Sequence, residues 1–189
     1  MKRFIAVVSL FLSVSAFSFA KDISLSFEAS LSNNINLCVN KNDLAFLSVG
    51  PALTIGHLYL NGAYLFPRTA SFKIEDNIPS KKYGGASGAV GVQGIFNVAD
   101  KIDFALRVGA CYLWTYEIFK TYNEYQNSVG LFFYEGFFIH TNEKNYISIG
   151  LNACSYVATF YLFKFVDRFE YSTFTRFNIE PKFSITHVF

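Results

Sequence analysis

After its first twenty residues the chain has no uninterrupted apolar run near the ~20 residues that a membrane-spanning helix needs. Yet 52% of its residues are hydrophobic and 19% aromatic, so a helical membrane protein is excluded while a large apolar surface remains to be placed. Two architectures hold that much apolar material without spanning helices. One is a soluble β protein with a large core, the other a barrel whose apolar face looks outward into lipid. Cysteine is scarce and odd in number: Cys38, Cys111 and Cys154 cannot form a complete disulfide framework, and no Cys/His spacing makes a metal site. Charge of one sign is also missing. Without Lys2 and Arg3, which belong to a leader, the 16 basic residues fall to 14 against 14 acidic ones. No basic excess is left for a nucleic-acid surface. Glycine is plentiful at Gly84, Gly85, Gly88, Gly91 and Gly94, but no Lys-Ser or Lys-Thr pair and no helical segment follows, so a phosphate-binding loop is excluded. Glycines that let a small barrel bend are the reading that fits.

The first twenty residues read as a processing signal. Lys2 and Arg3 form a basic start, residues 4–17 an apolar stretch spotted with serine, and Ser18-Phe19-Ala20 a small-residue cleavage site. Residues 1–20 are therefore expected to be a signal peptide and 21–189 a single exported domain.

The exported part alternates with a period of two, which is the pattern of a strand with one apolar and one polar face. The end of the chain shows it best. Phe189, His187, Ile185, Phe183, Pro181, Ile179 and Phe177 make one face, and Val188, Thr186, Ser184, Lys182, Glu180, Asn178 and Arg176 the other. Residues 22–31 alternate as cleanly, with Ile23, Leu25, Phe27, Ala29 and Leu31 against Ser24, Ser26, Glu28 and Ser30. Further strands are predicted over 44–54, 58–66, 83–96, 102–116, 126–139 and 146–161, and the last over 173–189. Pro51 removes a ladder donor inside the second strand, so a bulge or an irregular pair is expected there. In the sixth strand both faces carry Phe or Tyr. Turning Glu135 away from the apolar side sends Phe132, Tyr134 and Phe138 outward. The connections 55–57, 97–101 and 140–145 are short, and 32–43, 67–82, 117–125 and 162–172 are longer. Aromatics gather near the longer ones: Tyr64, Phe66, Tyr112, Trp114, Tyr116, Phe160 and Tyr161 suit an interfacial girdle.

On these residues, above all the terminal alternation that ends in Phe189, the chain resembles the small eight-stranded outer-membrane β-barrel proteins of the OmpA-like, OmpX-like and OmpW-like group. The resemblance covers residues 21–189, with His187 and Pro181 as departures from the usual apolar terminal face. It implies an all-β fold, an eight-stranded antiparallel up-and-down transmembrane β-barrel following the signal peptide. It also implies Sec-dependent export to the bacterial outer membrane, with outer-membrane lipid and the barrel-assembly machinery as partners. The machinery would read Phe177, Ile179, Phe183, Ile185 and Phe189 as a C-terminal signal. Short turns would face the periplasm and four longer loops the outside.

The polar faces then enclose Glu28, Asp103, Glu135 and Glu180 with Arg107, Arg176 and Lys182. In so narrow a barrel side chains fill the lumen, and buried charges require partners. An ion-pair network is therefore expected, with Arg107 and Arg176 on neighbouring acids, in preference to a general acid/base pair. A structural or surface-interaction role follows, with no cofactor and an unidentified extracellular ligand at most. The alternatives are passage or binding of a small or apolar solute in the OmpW-like manner, and a secreted soluble lipocalin-like barrel with the apolar face inward. An enzyme acting on lipid A is disfavoured, because His57, His140 and His187 all map to the short-turn end.

Overall fold

A computed structural model describes residues 23–36, 44–67, 82–118, 123–164 and 168–189. The leader 1–20 and Cys38 lie outside the described residues. Eight strands follow one another: β1 (Ile23–Asn36), β2 (Leu44–Ile55), β3 (Leu58–Pro67), β4 (Lys82–Ala99), β5 (Ile102–Ile118), β6 (Asn123–Asn142), β7 (Asn145–Lys164) and β8 (Arg168–Val188). Each pairs antiparallel with its neighbour in the chain, and β8 pairs with β1 to close the ring. This is the eight-stranded up-and-down barrel expected from the alternation. Closure satisfies the edge strands that an open sheet would leave bare.

Two of the longer connections are shorter than expected. β5 and β6 run through most of 117–125, and β7 and β8 through most of 162–172. The reason is local: Tyr116, Tyr125, Phe160, Tyr161 and Phe163 are residues that favour strands, so the hairpins continue upward. The tight turn after β2 rests on Gly56, whose φ of 56° lies in the left-handed region open to glycine. At Pro51 the β2–β3 ladder lapses between Val49↔Tyr64 and Ala52↔Asn61 and resumes in the same register. The pairing is irregular there, with no bulge.

The barrel is inverted relative to a water-soluble one. On β1, Ile23, Leu25 and Phe27 are 48%, 48% and 60% exposed, whereas Ser24, Ser26 and Glu28 are 5%, 3% and 2% exposed. β8 repeats the arrangement with Ile179, Phe183 and Ile185 outside and Asn178, Glu180 and Ser184 inside. Leaving so much apolar surface in water would forfeit ~25 cal/mol for each Å². The same surface is at no disadvantage against hydrocarbon, which is the arrangement opposite to a lipocalin-like barrel.

Two side-chain placements depart from the expected ones. Phe132, Tyr134 and Phe138 point inward and are buried, while Glu135 points outward with Leu131, Phe133, Phe137 and Ile139. The outward set is the more apolar, and the inward aromatics find a cation to enclose, as shown below. Tyr161 also points inward. Against β6, a β-bulge between Tyr156 and Ala158 adds one residue to β7, so the inward positions change from Asn152, Cys154 and Tyr156 to Thr159 and Tyr161. The other aromatics expected in the girdle face outward or are half-buried. Tyr64 and Phe66 meet edge to face at 4.7 Å, and Trp114 and Tyr116 lie 5.6 Å apart.

Candidate functional site

At mid-height three charges of the lumen form one cluster. Glu28 is carried on β1 and Arg107 on β5, four strands away on the opposite side of the ring. The guanidinium crosses the lumen to meet the carboxylate, with Nη1 2.9 Å from Oε1. Lys182 reaches the other oxygen from the neighbouring strand β8, with Nζ at 2.6 Å. The hydroxyl of Tyr59 donates to the same oxygen at 2.6 Å and the amide of Asn61 at 3.0 Å. One carboxylate thus accepts four bonds, which is what a charge buried this deeply requires.

Arg107 is held by further contacts. Its Nε donates to Gln93 at 3.1 Å. Nη2 has no hydrogen-bond partner, but the guanidinium lies 4.2 Å from the ring centre of Tyr59, 4.8 Å from Tyr134 and 5.4 Å from Phe138. Cation–π attraction stands in for the missing bond. Tyr134 and Phe132 can lie so close to the wall because each covers a cross-strand glycine pair. A Cβ on Gly91 or Gly109 would come within 2.9 and 2.8 Å of the Phe132 ring, and one on Gly150 within 2.7 Å of Tyr134. The glycines read as bending points therefore also seat the aromatics.

Above and below this cluster polar side chains pair with one another inside the barrel. On the short-turn side Ser26 bonds Thr186 at 2.8 Å and Ser148 bonds Ser184 at 2.6 Å. Higher up, Glu180 accepts from Ser30 at 2.8 Å and from Asn152 at 2.6 Å. Near the top Arg176 donates through Nη2 to Gln126, whose own amide donates to Glu124 at 2.6 Å and to Glu117 at 3.4 Å. A cavity of about 40 Å³ remains at mid-height, room for a few waters at most and far from a channel.

The residues expected in one lumen network are thus divided. Glu28, Arg107 and Lys182 are brought together. Glu180 and Arg176 are buried in the lumen as separate centres, and Arg176 meets an amide instead of an acid. Asp103 is not in the cluster: four residues below Arg107 on β5, it sits at the rim and pairs with His140 at 2.7 Å. Glu135 is on the outer face, beside Leu106 and Leu151, and takes no part. Among the residues whose side chains are described, it is the sole Asp, Glu, Lys or Arg that projects outward between the rims. Sequence reasoning missed Tyr59, Gln93, Asn61 and the Arg107 aromatic cage, because their partners come from distant strands. Glu117 and Glu124 were read as loop residues. Their alternation with Thr115 and Gln126 was the available signal, since all four are buried.

The seam that closes the ring keeps one register but has a long lapse in its ladder. The β1–β8 ladder lapses between Ser30↔Lys182 and Ile35↔Phe177, a stretch that contains Pro181, which has no N–H to give. Side chains bridge the gap from inside, Ser30 to Glu180 and Asn178 to Ser32, the latter at 2.8 Å. Among the described residues no cluster of three or more His, Cys, Asp or Glu could hold a metal ion. His57, His140 and His187 lie at the short-turn end, in the β2–β3 turn and at the ends of β6 and β8.

No protein-family model matches the chain, and no curated protein matches it at a significant level. Solved structures do. The crystal structure of Neisserial surface protein A is similar with a TM-score of 0.62 at 10% identity, covering 88% of this chain and 97% of that one. Outer membrane protein AlkL, solved by solid-state NMR in lipid bilayers, has a TM-score of 0.57 at 11% identity, covering 89% of this chain and 90% of that one. Ail, the attachment invasion locus protein of Yersinia pestis, has a TM-score of 0.53 at 8% identity, covering 89% and 99%. The shared feature is the fold, that of the small eight-stranded membrane β-barrels.

Proposed function

We propose that the chain is a bacterial outer-membrane β-barrel protein with a structural or surface-interaction role. Residues 1–20 would direct export and residues 21–189 would form the barrel, with the short turns toward the periplasm. The observation that carries this reading is the inversion itself: a belt of exposed Ile, Leu, Val and Phe surrounds a polar interior in which Glu28, Arg107 and Lys182 are paired. Only a hydrocarbon solvent makes both faces favourable at once. The outward row Ile179, Phe183, Ile185 and Phe189, continued by the half-buried Phe177, is available to the assembly machinery. A role at the surface agrees with two of the similar structures, one a surface protein and the other an attachment invasion locus protein. The side-chain plug argues against conduction through the lumen. An acyl-transfer or hydrolytic role would need a base near the longer connections, and the three histidines are at the other rim.

The test is fractionation followed by gel migration with and without boiling. Recovery with the membrane pellet and a heat-dependent shift are expected, and a freely soluble product with no shift would overturn the proposal. In planar bilayers the folded protein should show no steady current. The irregular β1–β8 seam favours one second reading, lateral passage of a small apolar solute from lumen to lipid. Uptake of such a solute into vesicles, stopped by a disulfide engineered across that seam, would replace the structural role.

A further inference from the structure

We propose that the outer face around Glu135 is an interface between two copies of this chain, whose Glu135 carboxyl groups bond each other within the membrane. This interface presupposes the membrane setting proposed above. Glu135 is exposed on the outside of β6, and its outward neighbours offer it no hydrogen bond. Phe133 and Phe137 flank it along the strand, and Leu106 and Leu151 face it across the ladders to β5 and β7. The diagonal outward positions on those two strands are apolar as well. Ile139, nearer the short-turn rim, still belongs to the exposed apolar belt. The four residues from 135 to 139 rise roughly 10 Å in a strand tilted by about 40°, farther than a glutamate side chain reaches. The carboxyl group is therefore held in hydrocarbon, where an ionisable group marks a function and calls for a partner.

Symmetry and chemistry choose the partner. Copies of one barrel inserted in the same direction are related by a two-fold axis along the membrane normal, which keeps every residue at its own depth. A group beside that axis meets its own copy, and the apolar face around it supplies no other polar group. A neutral carboxyl group has one O–H to donate and a carbonyl oxygen to accept. Two of them close a ring of two hydrogen bonds and leave neither group unsatisfied. An ammonium or a guanidinium has donors only and would repel its copy. Lipid tails are as apolar as the surrounding Phe and Leu, so contact between apolar faces selects no partner by itself. The carboxyl pair is what singles out this face of the ring.

The experiment folds the full chain in phosphatidylcholine vesicles, with donor or acceptor dye at the amino terminus, and follows energy transfer as the protein-to-lipid ratio is lowered. A dimer that dissociates on dilution is expected. Glu135→Gln should keep it, because the amide also carries both a donor and an acceptor. Glu135→Leu should weaken it about 10- to 100-fold, the effect of two hydrogen bonds lost within a membrane. Glu135→Lys should be monomeric alone yet form a mixed dimer with the unaltered chain, since Lys and Glu then meet at one depth. That rescue is not expected of a residue that matters only to its own barrel. The heat-dependent gel shift should persist in every variant, because the side chain lies outside the ring. Undiminished energy transfer in Glu135→Leu, failure of Glu135→Lys to mix, or a monomer at every ratio in the unaltered chain would overturn the interface while the shift is retained. Loss of the shift in the unaltered chain would overturn the membrane setting and the interface with it.

Discussion

The two halves of the ring line one lumen with different materials. At mid-height β1–β4 present Ser30, Ser48, Ala63, Ser87 and Ala89, with Tyr59 as the large exception. β5–β8 present Arg107, Phe132, Tyr134, Cys154 and Tyr156, and β6 and β7 add Phe138 and Tyr146 lower down. Among the described residues the halves differ in height as well, with strands of 14, 12, 10 and 18 residues in the first and 17, 20, 20 and 21 in the second. A ring this narrow cannot be filled from both sides at one level, so large residues on one wall demand small ones opposite. The cavity lies between the two walls and is lined by both, with Ser30, Ser48 and Ala89 on one side and Phe132, Tyr134 and Tyr156 on the other. The tall half also carries groups that give the lumen its chemistry: the caged Arg107, the buried thiols of Cys111 and Cys154, and the Arg176–Gln126–Glu124 chain.

The sharpest way to break this contrast is to remove the one acid that crosses it. Glu28→Ala would leave Arg107 and Lys182 buried without their counter-charge, and a loss of about 3–5 kcal/mol is expected. It should appear as a large fall in the urea midpoint of the barrel folded in lipid vesicles, or as loss of the heat-dependent gel shift. Next comes truncation of the bulky wall. Phe132→Ala uncovers the Gly91–Gly109 pair and opens a void, with about 3 kcal/mol lost in the same assay. An effect near zero would mean that the large wall does not support the ring. On the outer face of the tall half, Glu135→Leu should stabilise the vesicle-embedded protein by about 1–2 kcal/mol, because a carboxylate is replaced by a lipid-compatible group. No stabilisation would mean that Glu135 is outside the hydrocarbon belt or has a partner there. The smallest effect is expected on the small wall. Ala89→Val adds two methyls beside the cavity and should change stability by no more than about 0.5 kcal/mol. A loss of the size seen for overpacked cores would show that the cavity is already full.

Legibility followed the same division. β1 and β8 could be read residue by residue, because each has one face of Ser, Asn, Thr and charge and another of Ile, Leu and Phe. β6 could not: with aromatics on both faces, periodicity offered two registers, and the only charge in mid-strand, Glu135, pointed to the wrong one. The aromatics turn inward because a cation from β5 awaits them, and nothing in the sequence of β6 records that. Tyr161 failed for another reason. A single extra residue at the β7 bulge reverses every face beyond it, and no local pattern in 156–161 marks the insertion. The hairpin tops were read as loops because polar residues such as Glu117, Asn123 and Glu124 interrupt the aromatics. In a barrel with a polar interior those residues belong to the strand.

The sequence by itself determined the eight strands, their order, and which face of most of them is apolar, because a period of two is a local property of each segment. It also established that charges would be enclosed. Which charges meet was decided only by closing the ring, which brings Glu28 and Arg107, 79 positions apart, across the lumen from opposite walls. The same closure separated Asp103 and Glu135 from that cluster. Partners across a barrel depend on register, bulges and circumference taken together, and those are properties of the whole ring and of no single strand.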